Sequence, residues 1–199
     1  MKPRVAGAVL AAGAGSRMGR PKALLKAGGK SLLSILAGAL RDARCEPILL
    51  VVAADLERGE VGEIPDARWV VNPDPDRGQI SSLRCAMEAA RDAAGMLYVL
   101  VDQAKIDAGT VEATRAALDG HPAAVACFHG APGHPLAFRR ELFADLFTPQ
   151  ADSGARAVVA GWRARGWLAQ VDTDDEGVTR NLNSPAEFER FLASRGLYG

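Results

Sequence analysis

The sequence carries no surplus of charge. Its 24 Lys and Arg are matched by 24 Asp and Glu, so its overall balance draws it neither to nucleic acid nor to an anionic membrane surface. A local basic cluster in such a chain is aimed at something small. Aromatic residues are scarce, at 6%. Long apolar runs are missing: no stretch approaches the ~20 residues of a membrane span. Cysteines are few and odd in number. Cys45, Cys85 and Cys127 lie far apart, with no C-x-x-C or Cys/His spacing for zinc, and are read as reduced core thiols of a cytoplasmic protein. The opening MKPRVAGAVLAAGA imitates a secretory signal. Its apolar run covers only residues 5–12, is broken by Gly7, and is soon followed by Arg17, Arg20 and Lys22. A buried first strand explains it better.

What is present is enough for a core: 48% of the 199 residues are apolar. That length suits one domain, residues 1–199, since domains commonly run to roughly 100–200 residues. The pattern alternates. VAGAVL, PILLVVA, ARWVVN, GMLYVLVD and AAVACFH read as strands, PILLVVA being a continuous apolar run of the kind buried on both faces. SLLSILAGALRDAR, ISSLRCAMEAARDAA and AGTVEATRAALDG between them have helical spacing. Strand alternating with helix predicts an α/β fold of three layers, α/β/α, around a mostly parallel sheet. After residue 128 the pattern loosens. HGAPGHPLAF reads as a turn and a short strand, ADSGARAVVAGWRAR as a helix, GWLAQVD as a strand, and SPAEFERFLASRG as a final helix. Ser184, Pro185 and Glu187 predict a capping box at its start.

In such sheets ligands bind beyond the carboxyl ends of strands. Three loops there hold unusual residues: 11–22, 72–82 and the one beginning at Asp102. The first reads LAAGAGSRMGRPKALL. It is no nucleotide-triphosphatase P-loop, because Gly13 and Gly19 are one residue too far apart and Arg-Pro follows instead of Lys-Ser. It is no dinucleotide fingerprint either, because Met18 stands where the third glycine belongs. Small residues let the backbone come close to a base and to phosphates. Arg17 can fork onto phosphate oxygens, and Lys22 supplies a point charge. That combination suits a triphosphate. Arg20 reads as a solvated surface residue.

LAAGAGSRMGRPKALL resembles the L-A-x-G-x-x-x-R-M-G-x-x-K signature of the MobA/MocA-like nucleotidyltransferases, the molybdenum-cofactor cytidylyl- and guanylyltransferases and their relatives. GQISSLRCAM, LVDQ, GHP, DSGAR and NLNSPAEFERF resemble further family segments, in family order and over nearly the whole chain. The resemblance implies a Rossmann-like fold of the nucleotide-diphospho-sugar transferase type. It also implies a reaction in which an acceptor phosphate attacks the α-phosphorus of a nucleoside triphosphate and pyrophosphate leaves. On it, Leu10, Ala11, Ala12, Gly13, Gly15 and Ser16 meet the nucleotide, and Arg17 and Lys22 neutralise its phosphates. Gly78, Gln79 and Ser82 sit beside the base or ribose. Asp102 holds Mg²⁺, with Asn183 as a second oxygen ligand, and Lys105 and His134 face the acceptor. Each role has a plainer rival: Asp102 as a turn cap, Ser82 as part of a helix start, His134 as a turn histidine, Asn183 as a loop hydrogen-bonder.

The family usually follows its Asp with a small residue, His or Gln, then Pro. Here the order is Gln103-Ala104-Lys105, and Lys105 is placed either to contact an acceptor phosphate or to pair with Asp102. Ala12 is nearer the cytidylyl branch and NLNSP nearer the guanylyl branch. The first loop touches the base, so CTP is expected ahead of GTP. Molybdopterin is the expected acceptor, with a molybdenum enzyme as possible partner. A sugar-phosphate transferase, a nucleotide-binding accessory protein and, least well matched, a dehydrogenase stand as alternatives.

Overall fold

The computed structural model of the chain describes residues 4–13, 19–103 and 106–195. Its elements in chain order are β1 (Val5–Leu10), a small hairpin of β2 (Lys26–Ala27) and β3 (Lys30–Ser31), α1 (Leu32–Asp42), β4 (Ile48–Ala53), α2 (Arg58–Val61), β5 (Ala67–Asn72), α3 (Gln79–Ala89), β6 (Gly95–Leu100), α4 (Ala108–Ala116), β7 (Ala123–Phe128), β8 (Ala131–Arg139), α5 (Arg156–Ala164), β9 (Leu168–Thr173) and α6 (Pro185–Arg195). Among the described residues, seven strands form one sheet in the order β5-β4-β1-β6-β8-β7-β9. β8 runs antiparallel to both neighbours; every other pairing in that sheet is parallel.

The central strands are apolar on both faces because both faces are covered. Along β4, Ile48, Leu50 and Val52 enter one core while Leu49 and Val51 enter the other. The first core holds Leu32, Leu33, Leu36 and Leu40 of α1 and Val111 of α4, with Phe188 and Phe191 of α6 packed against it. The second holds Leu83 and Met87 of α3 and Val158 and Trp162 of α5. These are the three layers that the alternation predicts. Ser31 caps α1, its hydroxyl accepting from Ser34 N–H at 3.2 Å. Gly7 lies under the end of α1: a Cβ there would stand 2.8 Å from Cys45 Cβ and 3.2 Å from the Leu40 methyls. The three cysteines are free, with Cys45 and Cys127 buried; burial pushes the Cys45 thiol up to about 12.

The departure from expectation is β8. HGAPGHPLAF is a turn and a strand as read, but the strand is not short: it runs nine residues and lies inside the sheet. His129 and Gly130, both at positive φ, make the two-residue hairpin turn from β7. The register against β7 shifts between Val125 and Cys127. This irregularity absorbs the stretch containing Pro132, Gly133 and Pro135, which a regular ladder would not tolerate. No described helix is long and apolar enough to cross a membrane.

Candidate active site

β1, β4, β5 and β6 are parallel, so their carboxyl ends open on one edge of the sheet. Two of them fix the start of the first loop. Ala11 N–H donates to Val51 O at 2.7 Å, and Val101 N–H to Leu10 O at 3.1 Å. Leu10, Ala11 and Ala12 are buried and Gly13 is exposed. Gly15, Ser16 and Arg17 lie outside the described residues. The chain returns at a single 3₁₀ turn, Lys22–Leu24, preceded by Pro21. Ala23 and Leu24 are buried in the core, which anchors the turn and leaves the Lys22 side chain directed at the strand ends.

Lys22 meets two residues there. Its Nζ donates to Asp102 Oδ2 at 3.0 Å and to Asn183 Oδ1 at 2.9 Å. Lys22 and Asp102 are largely shielded, with side-chain exposures of 16% and 18%. The segment carrying Asn183 is tied down twice. Leu182 N–H donates to Asp102 O at 2.8 Å, and Asn183 N–H donates to Glu187 Oε2 at 2.7 Å. The expected capping box is thus half realised. Ser184 Oγ accepts from Glu187 N–H at 3.3 Å, but the Glu187 carboxylate reaches one residue further back, to Asn183. That backbone hydrogen bond holds the Glu187 carboxyl below its ordinary range.

The other oxygen of Asp102, Oδ1, is buried and has no hydrogen-bond partner among the described residues. A buried carboxylate oxygen without a donor is costly, and its natural complement is a cation. No cluster of three or more His, Cys, Asp or Glu side chains suited to a metal occurs among the described residues. What the site offers is one carboxylate and one amide oxygen converging on a single point. Mg²⁺ fits such a donor set, since it commonly takes one or two carboxylates and completes its shell with waters and phosphate oxygens. Lys105 lies outside the described residues, and the partner the structure gives Asp102 is Lys22.

At the margin of the sheet, β5 stops at Asn72, which is buried. Its Nδ2 donates to Ser81 Oγ at 2.8 Å and to Ser82 Oγ at 3.0 Å, and its Oδ1 accepts from Asp74 N–H at 3.0 Å. Ser82 is therefore buried and engaged in holding α3. Gly78, at φ 80°, and Gln79 are exposed at the start of that helix. Asn72 is a residue that sequence reasoning passes over; its place at a strand end, facing two serines on the next helix, is the signal.

Beyond Asp102, Gln103 is buried and its Nε2 donates to Val178 O at 2.9 Å, while its Oε1 has no described partner. The same carbonyl presses on β8: a Cβ on Gly133 would overlap Val178 O. Asp175 ties this corner together, accepting from Asp107 N–H at 2.8 Å and Gly177 N–H at 2.9 Å. His134 follows Gly133 and stacks edge-on against Tyr98 at 5.0 Å. Burial lowers its pKa to about 4, so its ring is neutral at pH 7. Among the described residues, no hydrogen bond, ion pair or ring contact joins it to the Lys22–Asp102–Asn183 group.

Comparison with known proteins accords with this layout. Residues 7–170 match the MobA-like NTP transferase domain. Nicotine blue oxidoreductase of Paenarthrobacter nicotinovorans is 30% identical over 96% of this chain and 97% of its own length. Among solved structures, Rv0371c of Mycobacterium tuberculosis superposes with a TM-score of 0.83 at 22% identity, over 97% of this chain and all of its own; it has also been solved in complex with manganese. A nucleotidyl transferase of Methanothermobacter gives a TM-score of 0.76 at 24% identity, over 96% of this chain and 97% of its own. With the family model matched over residues 7–170, the chain belongs to the MobA-like NTP transferase domain family and is a nucleotidyltransferase.

Proposed function

We propose that the protein transfers a nucleoside monophosphate from CTP, or from GTP as second choice, to a phosphorylated acceptor, molybdopterin first among them, in the presence of Mg²⁺. The observation that carries this reading is the meeting of Lys22, Asp102 and Asn183 at the ends of β1 and β6. An oxygen of the acceptor phosphate forms a bond to the α-phosphorus. The bond from that phosphorus to the oxygen bridging to the β-phosphorus breaks, and pyrophosphate departs with the electron pair. Both reactants are polyanions, so charge neutralisation and alignment supply most of the acceleration. Lys22 provides a movable positive charge for the phosphates. Asp102 and Asn183 would hold Mg²⁺, which when bound neutralises phosphate charge and fixes the triphosphate's orientation. The shielded position of Lys22 and Asp102 strengthens each of these interactions relative to water. Leu10, Ala11, Ala12 and Gly13 present backbone to the base, and exposed Gly78 and Gln79 flank it from α3.

The test is pyrophosphate release. Purified protein is mixed with each nucleoside triphosphate, Mg²⁺ and molybdopterin, and pyrophosphate and dinucleotide are quantified together. Equal amounts of both, greatest with CTP, are expected. Release only with sugar phosphates moves the acceptor to that class. A redox activity on the same scaffold is the second reading, favoured by the name of the 30% identical relative. Binding of a nicotinamide cofactor, with no binding of any nucleoside triphosphate, would put it first.

A further inference from the structure

The polar group at the end of β6 contains a fixed part and a movable part. The backbone that carries the oxygens is fixed. Asp102 O accepts from Leu182 N–H, and Asn183 is clasped by Glu187, so the two ligand-bearing segments are locked to each other. The cation is movable. Lys22 has its backbone anchored by buried Ala23 and Leu24, but its ammonium rides on a flexible four-carbon stem. In this state the ammonium sits between Asp102 Oδ2 and Asn183 Oδ1, at 3.0 and 2.9 Å, while Asp102 Oδ1 has no donor among the described residues. One charge is thus satisfying a site built with oxygen to spare.

We infer that the Lys22 ammonium is a built-in stand-in for the metal ion, which closes the site to a bare divalent cation and yields it only when a triphosphate is present. This rests on the reading of Asp102 and Asn183 as the metal ligands. A divalent cation arriving alone must evict the ammonium and leave it stranded beside a double positive charge. A cation arriving with a triphosphate brings anionic oxygens to which the ammonium can move. The carboxylate keeps a cation in both states, and the lysine passes from the protein's anion to the substrate's. Metal and nucleotide binding are then coupled, and by linkage each tightens the other. Lys22 has two jobs in this scheme: it guards the ligands in the free protein and neutralises phosphate in the loaded one.

The test counts free Mn²⁺ by electron paramagnetic resonance, first with the metal alone and then, as a control, with CTP, and needs no turnover. Wild type, Lys22→Met and Lys22→Gln are compared, the Gln variant keeping a polar partner for Asp102 in case the Met variant folds poorly. Removing the ammonium is expected to tighten Mn²⁺ binding at least tenfold, and adding Asp102→Asn to the same variant is expected to abolish the gain. Unchanged or weaker Mn²⁺ binding in the folded lysine variants overturns the inference while leaving the metal ligands in place, provided that wild type still binds Mn²⁺ with CTP through Asp102. If binding of that complex to wild type is indifferent to Asp102→Asn, the underlying assignment of the site fails, and the inference with it.

Discussion

Two strands of the parallel half of the sheet, β5 at its margin and β6 further in beyond β4 and β1, lead into polar residues at the same carboxyl-end edge, and those residues are treated in opposite ways. Asn72 has both ends of its amide used by its own chain: two serine hydroxyls on α3 and the Asp74 N–H. Asp102 is left incomplete, with one oxygen on a mobile lysine and the other on nothing described. A buried polar group that its surroundings satisfy fixes the fold. One that they leave unsatisfied costs stability and is kept where a ligand completes it. The lesson is that burial and position alone do not separate structure from function here; the count of partners does.

The sharpest way to break this contrast is to remove each residue in turn. Asp102→Ala is expected to lower kcat/KM by about 10³-fold, equivalent to about 4 kcal/mol of transition-state stabilisation, with little loss of thermal stability, read by steady-state kinetics beside a melting curve. Gly133→Ala tests the corner that supports the same strand end. Its Cβ would overlap a backbone carbonyl, and a loss of about 3 kcal/mol in urea denaturation is expected. Asn72→Ala should give the reverse of Asp102→Ala: about 2 kcal/mol of stability lost through unpaired buried groups, and nucleotide affinity changed by less than about tenfold. Equal behaviour of the two variants would erase the distinction.

A smaller effect concerns pH. The folded His134 has a pKa of about 4 against an ordinary 6.5, so between those values the unfolded chain binds the proton and the folded one does not. The stability tied to this ring is present above about pH 6.5 and is lost as pH falls towards 4. His134→Gln should flatten that part of the stability–pH curve, measured by denaturation at successive pH values. An unchanged slope would show that the ring is more open to water than its packing against Tyr98 implies.

Much of the fold is legible in the sequence because two-sided burial leaves a strong signature. ILLVVA in β4 and MLYVLV leading to Asp102 leave little choice but buried strands, and the spacing of Leu32, Leu33, Leu36 and Leu40 states which face of α1 is covered. β8 is legible as a strand but not in its length or its internal place, because Pro132, Gly133 and Pro135 carry the marks of a turn, and a register shift against β7 makes room for them. Of the candidate site, the loop and Asp102 can be found from their places after strands. The join between Lys22 and Asn183 cannot, since it spans 161 residues and depends on how the last segment is stitched to β6. The sequence puts Lys105, which lies outside the described residues, within reach of Asp102; among the described residues the carboxylate meets Lys22, whose anchoring by Ala23 and Leu24 decides where its ammonium arrives. Glu187 shows the same limit on a small scale: its motif promises a bond within the helix cap, and the carboxylate goes instead to Asn183.

The most direct measurement is calorimetric titration of CTP into wild type, Asp102→Ala and Asn72→Ala, each with Mg²⁺ and with a chelator. Tight binding that needs Mg²⁺, vanishes in Asp102→Ala and survives in Asn72→Ala is the predicted result. Binding that ignores Mg²⁺, or that is as tight without Asp102 as with it, would contradict the assignment of the β6 strand end as the place where metal and nucleotide meet.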